Sequence, residues 1–180
     1  PMTNANPETF DLFAFSSGAT EPEEIVTIYM DGKTAQQILD TEKRIAQASS
    51  DEVEALEDEM EKLKDKFRAS RLLVHVRSIP RRKRDQVTNE IDSEYGVFNP
   101  KDPNSKREDA LITRFFSECI YKVVDAEGRE DRSIPVWESE RMAQWRLLIP
   151  EKYDIKLANT ISKLVFKSEY FEAAELSVDF

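Results

Sequence analysis

The sequence predicts a mainly α fold of the α+β class: a helical bundle with an antiparallel helical hairpin and a small two-stranded β element. Three observations carry this. Charged residues make up 34% of the 180 residues and only four are glycine, a profile that favours long solvated helices over a β-sandwich or a nucleotide-cradling α/β fold. Three capping boxes, Thr34 with Gln37, Ser49 with Glu52 and Ser105 with Glu108, each precede a run with helical apolar spacing. Two short stretches rich in β-branched residues, 25–30 and 72–78, flank the first two of those helices.

Taken in order, residues 1–24 read as a flexible aromatic arm. It is polar except at "FDLFAF", where Phe10, Leu12, Phe13 and Phe15 crowd together. Such a segment either packs back onto its own core or docks a partner. Residues 25–166 read as a single, mostly helical domain. It opens with a strand at 25–30, closed by the turn signal Asp31-Gly32. A helix starts near residue 35, with Ala35, Ile38 and Ile45 on one stripe. The next helix has Val53, Leu56, Met60, Leu63 and Phe67 spaced 3, 4, 3, 4, an a/d seam of period 3.5. The short connection at 48–51 folds the two helices into an antiparallel hairpin about 30 Å long. In "LLVHVRSI" the residues alternate, with Leu72, Val74 and Val76 on one face and Leu73, His75 and Arg77 on the other. The hairpin's short base places this second strand beside the first.

Pro80 suits the first turn of a following helix, whose short stripe is Val87 and Ile91. "YGVFNPKDPNS" ends it. The apolar stripe Leu111, Ile112, Phe115, Phe116, Cys119, Ile120 and Val123 is the widest in the chain and predicts a central core helix over 111–123. A further helix packs Met142, Trp145, Leu148 and Ile149. Pro150 opens the last one, with Ile155, Ala158, Ile161 and Val165 in a stripe and Leu164 beside it. Residues 167–180 read as an acidic, partly disordered tail.

Composition excludes several functions. One cysteine, Cys119, and one histidine, His75, can form neither an internal disulfide nor a Cys/His zinc cluster. Cys119 sits in the apolar stripe and reads as a small buried hydrophobe; His75 reads as structural or surface-exposed. No catalytic residue, metal ligand or cofactor site is predicted, and the chain is expected not to be an enzyme. Neither glycine-containing turn has the spacing of a phosphate-binding loop. No apolar run reaches the length of about 18 residues a membrane span needs, and no signal peptide is expected.

The formal net charge is -10, which disfavours general affinity for nucleic acid or anionic membrane. The distribution is uneven. Residues 51–61 hold seven acids and no base, whereas residues 62–84 hold ten bases and one acid. The basic stretch ends in the run Arg81, Arg82, Lys83, Arg84. Consecutive residues step about 100° around a helix, so these four ring the first turn of the helix they open. That placement opposes the helix dipole, and helix physics alone gives no reason for it. The run is expected to meet acidic helix surfaces, its own residues 51–61 or another subunit's. With the aromatic arm it forms the predicted partner-binding set. The alternative is a small nucleic-acid-binding or regulatory protein that uses 81–84.

The order of these features resembles the tail assembly chaperones of long-tailed phages of actinobacteria. The resemblance rests on the strand ending in "YMDG", the acidic hairpin, "FRASRLLVHVRSIPRRKRDQV", and "VFNPKD" before an apolar helix. In that family a RASR-like helix end runs into an alternating strand, a small turn, basic residues and a short helix. Here these are Arg68-Ala69-Ser70-Arg71, Leu72–Arg77, Ile79-Pro80 and Arg81–Ile91. Trp137, Trp145 and Ala158-Asn159 resemble a later part of the pattern, with Ala where the family has Leu. The resemblance spans about 25–165. It implies a non-enzymatic protein of the host cytoplasm, absent from the mature virion. Its partners would be the tape measure protein, the major tail protein and further copies of itself.

Overall fold

Burial against two faces divides the described chain. The computed structural model describes residues 22–101 and 103–166. The predicted tail and nearly all of the predicted arm, including Phe10, Leu12, Phe13 and Phe15, lie outside the described residues. Strand β1 (Glu23–Tyr29) comes first, so Glu23 and Glu24, expected in the arm, belong to the sheet. It is followed by α1 (Gly32–Ile45), α2 (Ser50–Ala69), β2 (Arg71–Arg77), α3 (Arg81–Tyr95), α4 (Ser105–Cys119), β3 (Ile120–Val124), β4 (Glu130–Asp131), a 3-10 turn at Ile134–Val136, α5 (Ser139–Leu148) and α6 (Glu151–Phe166). The fold is mainly helical with a small antiparallel sheet.

The sheet has four strands in the order β1-β2-β3-β4, all antiparallel. β1 and β2 are the two that the sequence predicts. They pair in full, Val26 opposite Val74 and Glu23 opposite Arg77. β3 is a correction. The apolar run of the core helix was expected to stay helical to Val123, but the helix ends at Cys119 and Ile120 turns extended. Ile120, Val123 and Val124 are β-branched, and β2 offers them an open row of backbone partners.

Alternation places Val26, Ile28, Val74, Val76 and Ile120 on one face of the sheet, all buried. Helices α4 to α6 cover that face with Phe115, Phe116, Cys119, Met142, Leu157, Ile161 and Leu164. Two predicted packing positions differ. Leu148 is 73% exposed while Ile149 is buried, because three successive apolar residues before Pro150 cannot all face one way. On α6 the buried stripe is Leu157, Thr160, Ile161, Leu164 and Val165, and Ile155 is half exposed.

Helices α1 and α2 stand apart from this core. They run antiparallel, with Asp31 at the start of α1 beside Lys66 near the end of α2, and Arg44 beside Glu59. Leu56 and Met60 of the 3,4 seam are buried, and Val53, Leu63 and Phe67 are half-buried. At the base Phe67 stacks on Tyr29 of β1, ring centroids 4.6 Å apart. Two helix starts depart from the sequence reading. The cap of α1 is Asp31, whose carboxylate accepts from the Thr34 amide at 2.9 Å and its hydroxyl at 2.6 Å. The cap of α4 is Asn104, which accepts from the Lys106 and Arg107 amides. The Ser49–Glu52 box is present as expected, the Glu52 carboxylate accepting from the Ser49 amide and hydroxyl.

Candidate partner-binding surfaces

The four cations 81–84 open α3 directly after the buried Ile79 and the exposed Pro80. Ser78 and Ile79 tie this corner to the last helix: the Ser78 hydroxyl donates to the Leu164 carbonyl at 2.8 Å, and Ile79 joins the core. The first turn of α3 is thereby held against the C-terminal end of α6 and the end of α4. A ring of four cations there must split between protein and solvent.

Lys83 and Arg84 turn inward. Lys83 lies 3.1 Å from Glu118 of α4, which Arg114 also approaches at 3.2 Å. Arg84 donates to the Val165 carbonyl at 3.0 Å and lies over the Phe166 ring. The terminal carbonyls of a helix lack intrahelical donors and carry the negative end of its dipole. Ser78 and Arg84 supply those donors for α6. The run that opposes the dipole of its own helix therefore serves the dipole of another. Arg81 and Arg82 remain at the surface, with Arg81 3.6 Å from Asp85 one turn on.

This corrects the expected partner of the run within its own chain. Glu118 and the α6 carbonyls meet it, and not the acidic stretch 51–61. The ion pairs shown for that stretch go elsewhere: Glu59 to Arg44 and Glu61 to Lys64. The tertiary partner of a charge depends on which helix end lies beside it, and spacing in sequence carries no such information.

Two hollows adjoin the run. One, of about 680 Å³, follows the outer side of α3 and is lined by Arg81, Arg82, Asp85, Gln86, Asn89 and Glu90 with Ser93. The other, of about 790 Å³, lies between the sheet end and α3, where Glu23, Arg77, Lys83 and Glu118 face it. Both mix acids with bases, so neither concentrates one sign of charge. Above the second, the Tyr121 hydroxyl donates to Glu23 at 3.0 Å and Arg77 lies over the Tyr121 ring.

The residues that could carry chemistry are placed for packing. Cys119 is fully buried, and burial pushes its thiol up to about 12, far from thiolate chemistry at neutral pH. His75 lies on the outer face of the sheet against the edge of Tyr121. Partial burial, then the nearby Lys122, holds its pKa below the usual 6.5. Among the described residues no group of three His, Cys, Asp or Glu could hold a metal ion, and no helix is long and apolar enough to cross a membrane.

Sequence reasoning missed a further apolar surface. Leu147 and Leu148 at the end of α5 are 86% and 73% exposed, and Ile155 of the next helix is exposed too. The signal was present in "RLLIP", since only one of three adjacent apolar residues can face the core. It also missed the half-buried Arg146. Its guanidinium forks onto Asp154, both distances 2.9 Å, and donates to Thr113 Oγ1 at 2.7 Å and to Asp109. This network joins α4, α5 and α6. The chain matches no family model, no curated protein and no solved structure.

Proposed function

We propose that this protein is a non-enzymatic tail assembly chaperone of a long-tailed phage. In this reading it works in the host cytoplasm, binds tape measure and tail-tube proteins while the tail is built, and is absent from the finished virion. The observation that carries the reading is residues 68–91, whose pattern resembles that family. In the fold this stretch is one continuous unit, the end of α2, then β2, the Ser78–Pro80 corner and α3.

The physical requirements of the task fit the remaining features. A tape measure protein is long and helical, and before the tube forms it exposes apolar helix faces that would self-associate. A chaperone must cover such faces reversibly, through apolar contacts of modest area rimmed by charge. Phe10, Leu12, Phe13 and Phe15 supply aromatic contact in a short segment ahead of the sheet. The α1–α2 pair, acting as a hairpin arm, supplies an acidic rim at 51–61.

The alternative, nucleic-acid binding through 81–84, loses weight on one observation. Lys83 and Arg84 are engaged with Glu118 and the Val165 carbonyl, which leaves two of the four cations outward. Phosphate binding draws its strength from the number of cations that displace counterions. One experiment separates the two. The purified chain is titrated into a labelled DNA duplex at two salt concentrations and, separately, co-expressed with a tape measure protein. The chaperone reading expects no duplex binding and a soluble complex that co-elutes. Duplex binding that weakens steeply with salt, without co-elution, selects the alternative.

A further inference from the structure

The corner between α5 and α6 leaves apolar side chains outside. Ile149 is buried there, and the Pro150 carbonyl accepts from the Tyr153 and Asp154 amides to start α6. The fork of Arg146 onto Asp154 fixes the two helices against each other at this point. Leu147 follows Arg146, Ile155 follows Asp154, and with Leu148 all three are exposed. The fold thus presents three aliphatic side chains on one braced corner. Aliphatic side chains grouped at a surface mark an interaction site.

The charges around this corner have one dominant sign. The exposed face of α6 carries Lys152, Lys156 and Lys163, at helical spacings of 4 and 7, with Ile155 in the same row. Among the described residues none of the three makes an ion pair, and Lys152 lies over the ring of its neighbour Tyr153. The acids of the corner are committed. Asp154 and Asp109 both accept from Arg146, which leaves Glu151 as the one exposed acid of α6. In a chain of formal net charge -10, three unpaired cations beside leucines make a local basic field.

We propose that the α5–α6 corner docks an acidic amphipathic helix of another protein. The apolar row of that helix covers Leu147, Leu148 and Ile155, and its Asp and Glu side chains meet Lys152, Lys156 and Lys163. Both elements of the corner are helices, so an extended strand finds no open backbone row there, whereas a helix brings side-chain anchors at i, i+3, i+4 and i+7. A second copy of this chain fits less well. About a two-fold axis it would set lysines against lysines. Its acidic stretch, 51–61, turns Leu56 and Met60 inward and offers carboxylates without a large apolar anchor. The basic rim is opposite in sign to 51–61, so a partner matched to one surface is repelled by the other. The inference goes beyond the chaperone reading and does not rest on it.

The test is fluorescence anisotropy of a labelled synthetic helix of roughly 18 residues, titrated with the full chain. The helix has leucines at i, i+3, i+4 and i+7 with glutamates beside them, and a control helix has lysine for every glutamate. The glutamate helix is expected to bind and the lysine helix to stay free. Joint replacement of Leu147, Leu148 and Ile155 by Ala weakens binding about tenfold or more. Lys152→Glu with Lys156→Glu reverses the preference in favour of the lysine helix. These side chains are all exposed, and an unchanged thermal melt shows that the variants keep the fold. No binding by the full chain, equal binding of both helices, or binding that the variants leave unchanged overturns the proposal. Sedimentation with vesicles of equimolar phosphatidylserine and phosphatidylcholine that is lost in the same variants makes the occupant a lipid surface, and overturns it too. So does a dimer in light scattering that the Ala variant dissociates, since the occupant is then a second copy.

Discussion

The α1–α2 pair and the body made by the sheet with α4 to α6 are held by different means. The pair buries two large apolar side chains, Leu56 and Met60, and two threonines, Thr34 and Thr41. Its cross-helix ion pair, Arg44 with Glu59, is about half exposed on both sides, and such surface pairs contribute roughly 0–1 kcal/mol. The body buries Phe116, Ile120, Met142 and Leu157 completely and locks three helices through Arg146. The difference teaches where stability and availability lie. A seam a single row wide can open on its own, because few buried contacts are lost. A core shared by four elements opens only with the whole.

The largest expected effect is in the body. Phe116→Ala removes a fully buried ring and is expected to cost about 3–5 kcal/mol. Denaturant unfolding followed at Trp137 and by amide exchange at Val74 and Leu157, all in the body, should shift together. If the two signals separate, the body is not one unit and the contrast fails. Arg146→Met comes next. It leaves the Asp154 carboxylate half-buried without its fork, at a cost of about 2–3 kcal/mol after allowing for partial solvent access. The melt should stay cooperative but move down in temperature.

Met60→Ala sharpens the comparison from the other side. It should cost about 2 kcal/mol, confined to 32–69. Amide exchange in α1 and α2 should accelerate while Val74, Val76 and Phe116 keep their protection. Equal acceleration throughout would show that the pair and the body melt as one.

Acid should act in the same order, with a smaller effect. A hydrogen bond from the Thr34 hydroxyl, then its amide, holds Asp31 below the ordinary 3.8. The Ser49 hydroxyl, then its amide, holds Glu52 below 4.5. A carboxylate with a depressed folded pKa contributes stability that is present above its unfolded value and lost as pH falls through the folded one. Both groups cap the starts of α1 and α2. Lowering the pH from about 5 to about 3 should therefore speed amide exchange at the starts of α1 and α2 before it changes at Phe116, Met142 and Leu157. The reverse order would place the acid-sensitive caps elsewhere.

The same contrast explains what could be read from the sequence. The α1–α2 seam was legible because its contacts repeat locally at 3 and 4 residues. β1 and β2 were legible because they alternate and flank a short-based helix pair. Residues 120–124 were not, because Ile120 and Val123 also continue the helical spacing of α4, and periodicity cannot separate a helix end from a buried strand. Capping was legible at Ser49, but at Asp31 and Asn104 a stronger acceptor one to three residues earlier took the amides. The roles of Lys83 and Arg84 were out of reach, since Glu118 and the Val165 carbonyl come near only after α4 and α6 have packed. Arg146 was hidden for the same reason.

The central claim is a division of labour: the body is a scaffold, and the partner meets the aromatic segment and the acidic helix pair. The most direct test is a hydrogen-exchange difference map of the full chain, alone and in stoichiometric mixture with a tape measure protein. The account predicts that exchange changes at 10–15 and along 51–61, while the amides around Phe116, Met142 and Leu157 stay as they were. A mixture that leaves every segment unchanged, or that protects only the Leu147–Leu148 end of α5, would contradict it.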